Sequence, residues 1–215
     1  MSEPGMQLLQ KYFSDFTEEQ ERQFAMLGGL YGEWNEKINV ISRKDIDNLY
    51  EKHILHSLAI AAIFDFSQAE GLKILDVGTG GGFPGLPLAI MFPNVSFTLV
   101  DSIGKKLKVV NAVSEGIGLK NLVTRHIRME EIKGESFDFV VSRAVAPLKD
   151  LWQWSKHLII KDRKIPDFKN GMIFLKGGDL AAEISDSRLR PHIWDISTIY
   201  EEPWFSEKYI LYVPA

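Results

Sequence analysis

Apolar residues change their spacing along this chain near residue 71. Before that point they follow a helical rhythm: Leu8, Leu9, Tyr12 and Phe13 share one face, and Phe24, Leu27, Leu30, Tyr31 and Trp34 share another. A third helical stretch is predicted from Asp45 towards Phe66, carrying Leu49, His53, Leu55, Leu58 and Ile63. From Lys73 onward, short runs rich in β-formers alternate with amphipathic segments. Strands are expected at Lys73–Val77, Ser96–Val100, Leu122–His126, Phe137–Val141, Gly171–Leu175, Ile193–Thr198 and Lys208–Tyr212. Helices are expected at Gly85–Met91, Lys105–Glu115, Pro147–Leu158 and Leu180–Ser185. Strands alternating with helices predict an α/β fold, a mostly parallel sheet with helices on both faces. The organisation read from this is an N-terminal helical extension, residues 1–70, followed by a sheet domain, residues 71–215.

Composition narrows the function classes. Among 215 residues, 45% are hydrophobic and 25% charged, and no apolar run approaches the roughly 20 residues that span a bilayer. No secretory signal is visible at the N-terminus, so a cytoplasmic protein without a membrane partner is expected. The absence of cysteine rules out disulfides, thiolate metal sites and a cysteine nucleophile. A net charge of -4 offers no global basic field for nucleic acid, so an RNA partner has to be argued from local clusters. Such clusters occur at Lys105, Lys106 and Lys108; at Arg125 and Arg128; from Lys161 to Lys169; and at Arg188 and Arg190. The third precedes a strand and reads as a mobile loop, the best of these RNA candidates.

The segment from Ile74 to Gly85, ILDVGTGGGFPG, follows a strand and opens a helix. Its glycines permit a tight turn and close approach of a ligand in the crevice at the carboxyl ends of the strands. Gly80, Gly82 and Gly85 also satisfy the dinucleotide pattern G-x-G-x-x-G, and Asp101, 23 positions beyond Gly78, suits a ribose diol in either ligand class. Asp76 separates the two classes. A carboxylate beside the loop repels a pyrophosphate and complements the ammonium and sulfonium of S-adenosyl-L-methionine. A helix-capping Asp in an empty turn is the plain structural alternative.

These residues resemble a known family. Asp76 to Ile90, Asp101-Ser102 with Lys105-Lys106, Ser142-Arg143-Ala144 and Leu175-Lys176-Gly177 are similar to the bacterial small-subunit rRNA guanine-N7 methyltransferases. Asn35, Asn39, His53-Ile54-Leu55 and Ser57 resemble the helical signature upstream of that motif. The resemblance runs from about Trp34 to Lys176 and is specific in its F-P-G-x-P-L element. It implies a Rossmann-like class I S-adenosylmethionine-dependent fold ending in an antiparallel strand. It also implies that Gly78 and Phe83 line the cofactor pocket, beside the Asp76 and Gly80 already read as cofactor residues of the loop, that Asp101 meets the ribose, and that Met129 and Glu130 flank the adenine. Arg143 then sits beside the methionine moiety and the target base. Arg143 and Lys176 are the candidate donors to guanine O6, and the partner is 16S rRNA within a small-subunit particle, met by a monomer. A small-molecule acceptor, or a non-catalytic rRNA-binding assembly module that keeps the cofactor pocket, are the competing functions.

Several residues carry a bland reading beside a functional one. Arg143 reads also as a structural ion-pair partner, and Lys176 as a solvated lysine. His53 and His56, three apart on a helix, read as core or capped histidines rather than a metal pair, and no metal is expected. Trp152 is expected in the core, and Trp154 is a candidate for stacking on RNA or a partner.

Overall fold

The computed structural model describes residues 4–143 and 146–215. It begins with two helices, α1 (Pro4–Gln10) and α2 (Glu18–Lys37). Thr17 and Gln20 form a reciprocal capping box at the start of α2, where Glu18, Glu19 and Glu21 also complement the helix dipole. Asn35 closes the other end: its side-chain oxygen accepts from the Val40 and Ile41 amides, and its amide donates to the Ile41 carbonyl.

The third helical stretch departs from expectation. It breaks into a 3-10 turn (Ile46–Asn48), a π-helical turn (Tyr50–Leu55), the short helix α3 (His56–Leu58) and a 3-10 turn at Phe66–Gln68. The wide π turn adds a residue per turn locally, which a regular helical periodicity does not register.

The remainder is one seven-stranded sheet. Its strands are β1 (Lys73–Val77), β2 (Ser96–Asp101), β3 (Leu122–His126), β4 (Phe139–Arg143), β5 (Gly171–Gly177), β6 (His192–Asp195) and β7 (Lys208–Pro214), in the order β3-β2-β1-β4-β5-β7-β6. β1 to β5 are mutually parallel, and β7 enters antiparallel between β5 and β6, as the resemblance implies. The helices are α4 (Gly85–Met91), α5 (Gly104–Gly116), α6 (Leu148–Ser155) and α7 (Ala181–Ser187).

Two expected strands shift. β4 starts two residues late, because Phe137 bridges to Ile159 and the Asp138 carboxylate accepts from the Lys73 amide and the Asn170 side chain. The stretch after Asp195 leaves the sheet as a 3-10 turn capped by the Asp195 carboxylate.

One hydrophobic cluster runs from Met6, Phe24 and Tyr31 through Phe83 and Leu86 to Phe97, Val110 and Ile210, so the core continues across residue 71. A second cluster, with Leu75, Val140, Leu151 and Phe174, fills the space under α6 and α7 on the other face. Polar side chains of α2 add to this join. Gln20 donates to the Ile90 and Met91 carbonyls at the end of α4, and Arg22 and Gln23 donate to the Ile117 carbonyl just past α5. The segment before the sheet thus satisfies carbonyls that the ends of both helices leave open. Among the described residues no helix is long and apolar enough to cross a membrane.

The Lys161–Lys169 loop corrects an expectation. It precedes the amino end of β5 and therefore emerges on the rim opposite the strand ends that carry Gly78 and Arg143. It is also tied down rather than loose. Asn170 donates to the Asp162 carbonyl, the Lys164 amide donates to Asn170, and the Tyr212 hydroxyl donates to the Lys169 carbonyl.

Candidate active site

The strand order reverses between β1 and β4, and in open parallel sheets the crevice outside such a switch point is where ligands bind. There the chain from Val77 to Gly85 makes a closed loop. Gly78, Gly80 and Gly82 all take positive φ (67, 59 and 102°), a region other residues enter at a cost. Gly85 needs its missing side chain for another reason: a Cβ would lie 2.7 Å from Asp76 Oδ2 and 2.8 Å from Leu99 Cδ1.

Six of the loop's amides are engaged within the protein. Those of Gly78 and Thr79 donate to the Val100 carbonyl, and those of Gly82 and Phe83 to the Thr79 carbonyl. The Gly80 amide donates to Asp101 Oδ2 and the Gly85 amide to Asp76 Oδ2, each at 2.8 Å. A pyrophosphate-binding loop points such amides at its ligand. This loop spends them on itself and on two carboxylates, which disfavours a dinucleotide by geometry as Asp76 does by charge.

Asp76 is fully buried and lies under the loop rather than on the cavity wall. The Thr79 hydroxyl donates to its Oδ2 at 2.6 Å, while Oδ1 has no partner. Burial outweighs these hydrogen bonds and pushes the carboxyl up to about 7. Asp101, at the end of β2, uses Oδ2 for Gly80 and Oδ1 for the Ile103 amide, and its carboxylate borders the cavity.

That cavity measures about 390 Å³ and spans the ends of β1 and β2 and the turn after β3. Gly78, Asp101, Met129 and Glu130 line it, with Met129 buried and Glu130 exposed. Val77, Val100, Ile127 and Leu151 give it apolar walls, and Lys106 and Arg128 also line it. Trp154 belongs to this cavity as well, and Trp152 packs against the second core cluster. Trp154 stands three residues after Leu151 on α6, a spacing that brings both to one face and could have revealed it.

Phe83 stands apart from that cavity. It is buried against Tyr31, with ring centroids 5.1 Å apart, and the Tyr31 hydroxyl donates to the Gly81 carbonyl at 2.6 Å. The Arg143 guanidinium lies 5.0 Å over the Phe83 ring, a cation–π contact. Arg143 Nη2 donates to His53 Nδ1 at 3.1 Å, and His53 in turn packs on Phe83 at 5.1 Å. A guanidinium only donates, so His53 must be neutral with its proton on Nε2. Burial, then the charge of Arg143, lower the His53 pKa to about 4, which keeps the ring in that state. Burial also lowers Arg143 to about 10, partly offset by Asp76, and it stays charged at neutral pH. The π-helical turn and the end of β4, 90 residues apart in sequence, thus fix one guanidinium together.

Lys176, on β5, donates to the Ala146 carbonyl at 2.6 Å and pairs with Glu183 at 2.8 Å. It borders the two neighbouring hollows rather than the 390 Å³ cavity. His56 parts company with His53: it is buried edge-on against Trp204 and Phe205. Ala144 of the quoted motif lies outside the described residues.

Solved structures share this architecture at low identity. The chain is similar to a mutant of MtNAS in complex with S-adenosylmethionine, with a TM-score of 0.58 and 15% identity over 91% of this chain and 76% of that one. It is likewise similar to a SAM-dependent methyltransferase from Aquifex aeolicus, with a TM-score of 0.56 and 14% identity over 80% of this chain and 98% of that one. Sequence relatives are far nearer. Ribosomal RNA small subunit methyltransferase G of Cytophaga hutchinsonii is 50% identical, covering 98% of this chain and 100% of its own length. The proteins of the same name from Porphyromonas gingivalis and Bacteroides thetaiotaomicron are 51% and 53% identical, covering 100% and 96% of this chain and 96% and 98% of their own. The family model described as rRNA small subunit methyltransferase G matches residues 20–195, from the capping box of α2 to the end of β6, and the chain belongs to that family.

Proposed function

We propose that this protein transfers the methyl group of S-adenosylmethionine to N7 of a guanine in 16S rRNA, acting as a monomer on a small-subunit particle. The observation that carries the reading is the pairing of a glycine loop closed on two carboxylates with a guanidinium fixed at the next strand end. The residues present fit the cofactor. Asp101 has lone pairs left for a ribose diol, Met129 and Glu130 border space for an adenine, and the Asp76 carboxylate, buried under the loop beside Gly78, would act on a cationic methionine moiety by its charge and not by contact.

When bound, the cofactor supplies an electrophilic methyl on a sulfonium. Guanine N7 presents an in-plane lone pair and carries no proton at neutral pH, so no general base is required. The chain's task is alignment, an effect worth on the order of 7–11 kcal/mol in favourable cases. Positive charge moves onto the purine during transfer, and a donor to O6 both selects guanine and orients it. Arg143 is the donor this reading assigns, held by His53 and Phe83. Lys176, engaged with Glu183 and the Ala146 carbonyl, braces the wall beside it. RNA contact falls to basic residues that border the same rim, among them Lys106, Arg128, Lys149 and Lys208.

The test is transfer of labelled methyl to 16S rRNA and to small-subunit particles lacking the modification, with 23S rRNA as control. Label in the 16S rRNA alone is expected. Label in neither RNA, from protein whose melting temperature S-adenosylmethionine raises and NAD does not, would overturn the acceptor assignment.

A further inference from the structure

Arg143 lines a second hollow, of about 480 Å³. Three distant parts of the chain wall it: Lys52 and His56 from the π turn and α3, Arg143 and Lys176 from β4 and β5, and Trp204 and Lys208 from the approach to β7. Two of its lysines are already engaged, Lys52 with Asp45 and Lys176 with Glu183. Lys208 has no carboxylate within ion-pair distance among the described residues, and its ammonium instead stands over the Trp204 ring, 5.0 Å from the centroid, a contact that a stacking base would take over.

His56 supplies an independent observation. It is 5% exposed, and its Nε2 has no hydrogen-bond partner. The other ring nitrogen serves a hydrogen bond to the Lys52 backbone, and burial with Arg143 and Lys208 nearby holds the ring neutral. Nε2 is therefore a buried acceptor without a donor, on a residue lining a hollow whose other walls carry four cationic side chains, the His53 and Trp204 rings, Leu175 and the Asp45 carboxylate that pairs with Lys52. A buried acceptor without a donor is costly to keep, and native proteins seldom keep one without a use.

Resting on the function proposed above, we infer that this hollow receives the target guanine: Trp204 is its stacking face, Lys208 the contact for its phosphate, and His56 Nε2 the acceptor for its N1–H and N2–H edge. Enzymes acting on a base in RNA take it out of its stack and hold it against aromatic side chains. The occupant is guanine rather than adenine by hydrogen-bond complementarity. Guanine offers donors at N1 and N2, whereas adenine turns an N1 lone pair towards the lone pair of His56. With O6 and N7 at Arg143, as the proposed function assigns, the opposite N1 edge of the base turns into the hollow that Arg143 lines. His56 is edge-to-face with Trp204, 5.2 Å between centroids, so a base stacked on the indole comes next to the imidazole.

The test uses the full chain and small-subunit particles lacking the modification. Trp204→Ala should lower kcat/KM for the particle at least tenfold with S-adenosylmethionine affinity unchanged, and Trp204→Phe should recover most of it. His56→Gln, which can return an oxygen acceptor near the Nε2 position, should keep more activity than His56→Leu. Cofactor affinity by calorimetry verifies that each variant is folded. Trp204→Ala within twofold of wild type, or equal activity of folded His56→Gln and His56→Leu, would overturn the inference. If the wild type methylates no RNA, the proposed function fails, and the hollow is judged by binding alone. With S-adenosylhomocysteine present, guanosine monophosphate should give saturation-transfer NMR signals that exceed those of adenosine monophosphate and vanish in Trp204→Ala. Equal signals from the two nucleotides, or signals unchanged by the variant, would overturn it.

Discussion

Replacing Asp76 by Asn should make the ligand-free protein more stable than wild type at pH 8 and bring the two near parity at pH 5. In the folded chain burial raises the Asp76 carboxyl to about 7, while an unfolded aspartate titrates near about 4. The folded state holds the proton more tightly, so stability from this group is fully present below about pH 4 and is lost as pH rises towards 7. The loss runs at about 1.4 kcal/mol per pH unit within that window. Above it the ionised, buried carboxylate costs on the order of 4 kcal/mol, and from pH 5 to pH 8 the change is roughly 2–3 kcal/mol. Asparagine carries no such titration. Its carbonyl can accept from Thr79 and Gly85 as Oδ2 does, but its amide then replaces Oδ1, which has no partner, at a pH-independent cost of about 1–3 kcal/mol. Groups common to both proteins cancel in the difference. Urea unfolding followed by tryptophan fluorescence at pH 5, 6, 7 and 8 reads it directly. A difference that stays constant over this range, or one that turns against the variant as pH rises, would refute the reasoning. The same carboxyl should make a cationic cofactor bind more tightly from pH 6 to pH 8 in wild type, with no such trend in the variant.

Three further substitutions probe the site. Asp101→Ala removes the acceptor of the Gly80 and Ile103 amides and should weaken S-adenosylmethionine by about 1.5–3 kcal/mol, roughly tenfold or more, without unfolding the chain. Unchanged affinity by calorimetry would remove the ribose assignment. Arg143→Ala should lower methyl transfer far more than overall RNA binding measured by filter retention, and equal losses in both would deny it a local role. Gly85→Ala forces a methyl against Asp76 and Leu99 and should cost about 1–3 kcal/mol in urea unfolding, so an unchanged midpoint would contradict the close packing described there.

What the sequence reveals of this molecule is what is local. Lys73–Val77, the glycine loop and α4 form one strand–turn–helix unit, and Asp76 near the end of its strand and Asp101 at the end of the next announce themselves by position. The antiparallel finish is implied by the family resemblance; two terminal strands with no α-helix between them are compatible with it but do not place β7 between β5 and β6. The π-helical turn is hidden because a helical rhythm absorbs one extra residue without losing its apolar face. The setting of Arg143 is hidden for a different reason: His53 lies 90 residues away and Phe83 belongs to another motif, so only tertiary packing brings them together. Trp204 gives no periodic signal in its 3-10 turn, and its neighbour His56 reads as an ordinary core residue. Lys161 to Lys169 misleads by charge alone, since sequence does not say that the run enters β5 from the rim opposite the crevice.

The most direct test of the account is chemical identification of the product. Small-subunit particles lacking the modification are incubated with the protein and isotope-labelled S-adenosylmethionine, and the digested 16S rRNA nucleosides are separated by mass spectrometry. The account predicts label in N7-methylguanosine, mapping to a single guanine and strongly reduced with Arg143→Ala. Label in any other methylated nucleoside, or none despite confirmed cofactor binding, would contradict it.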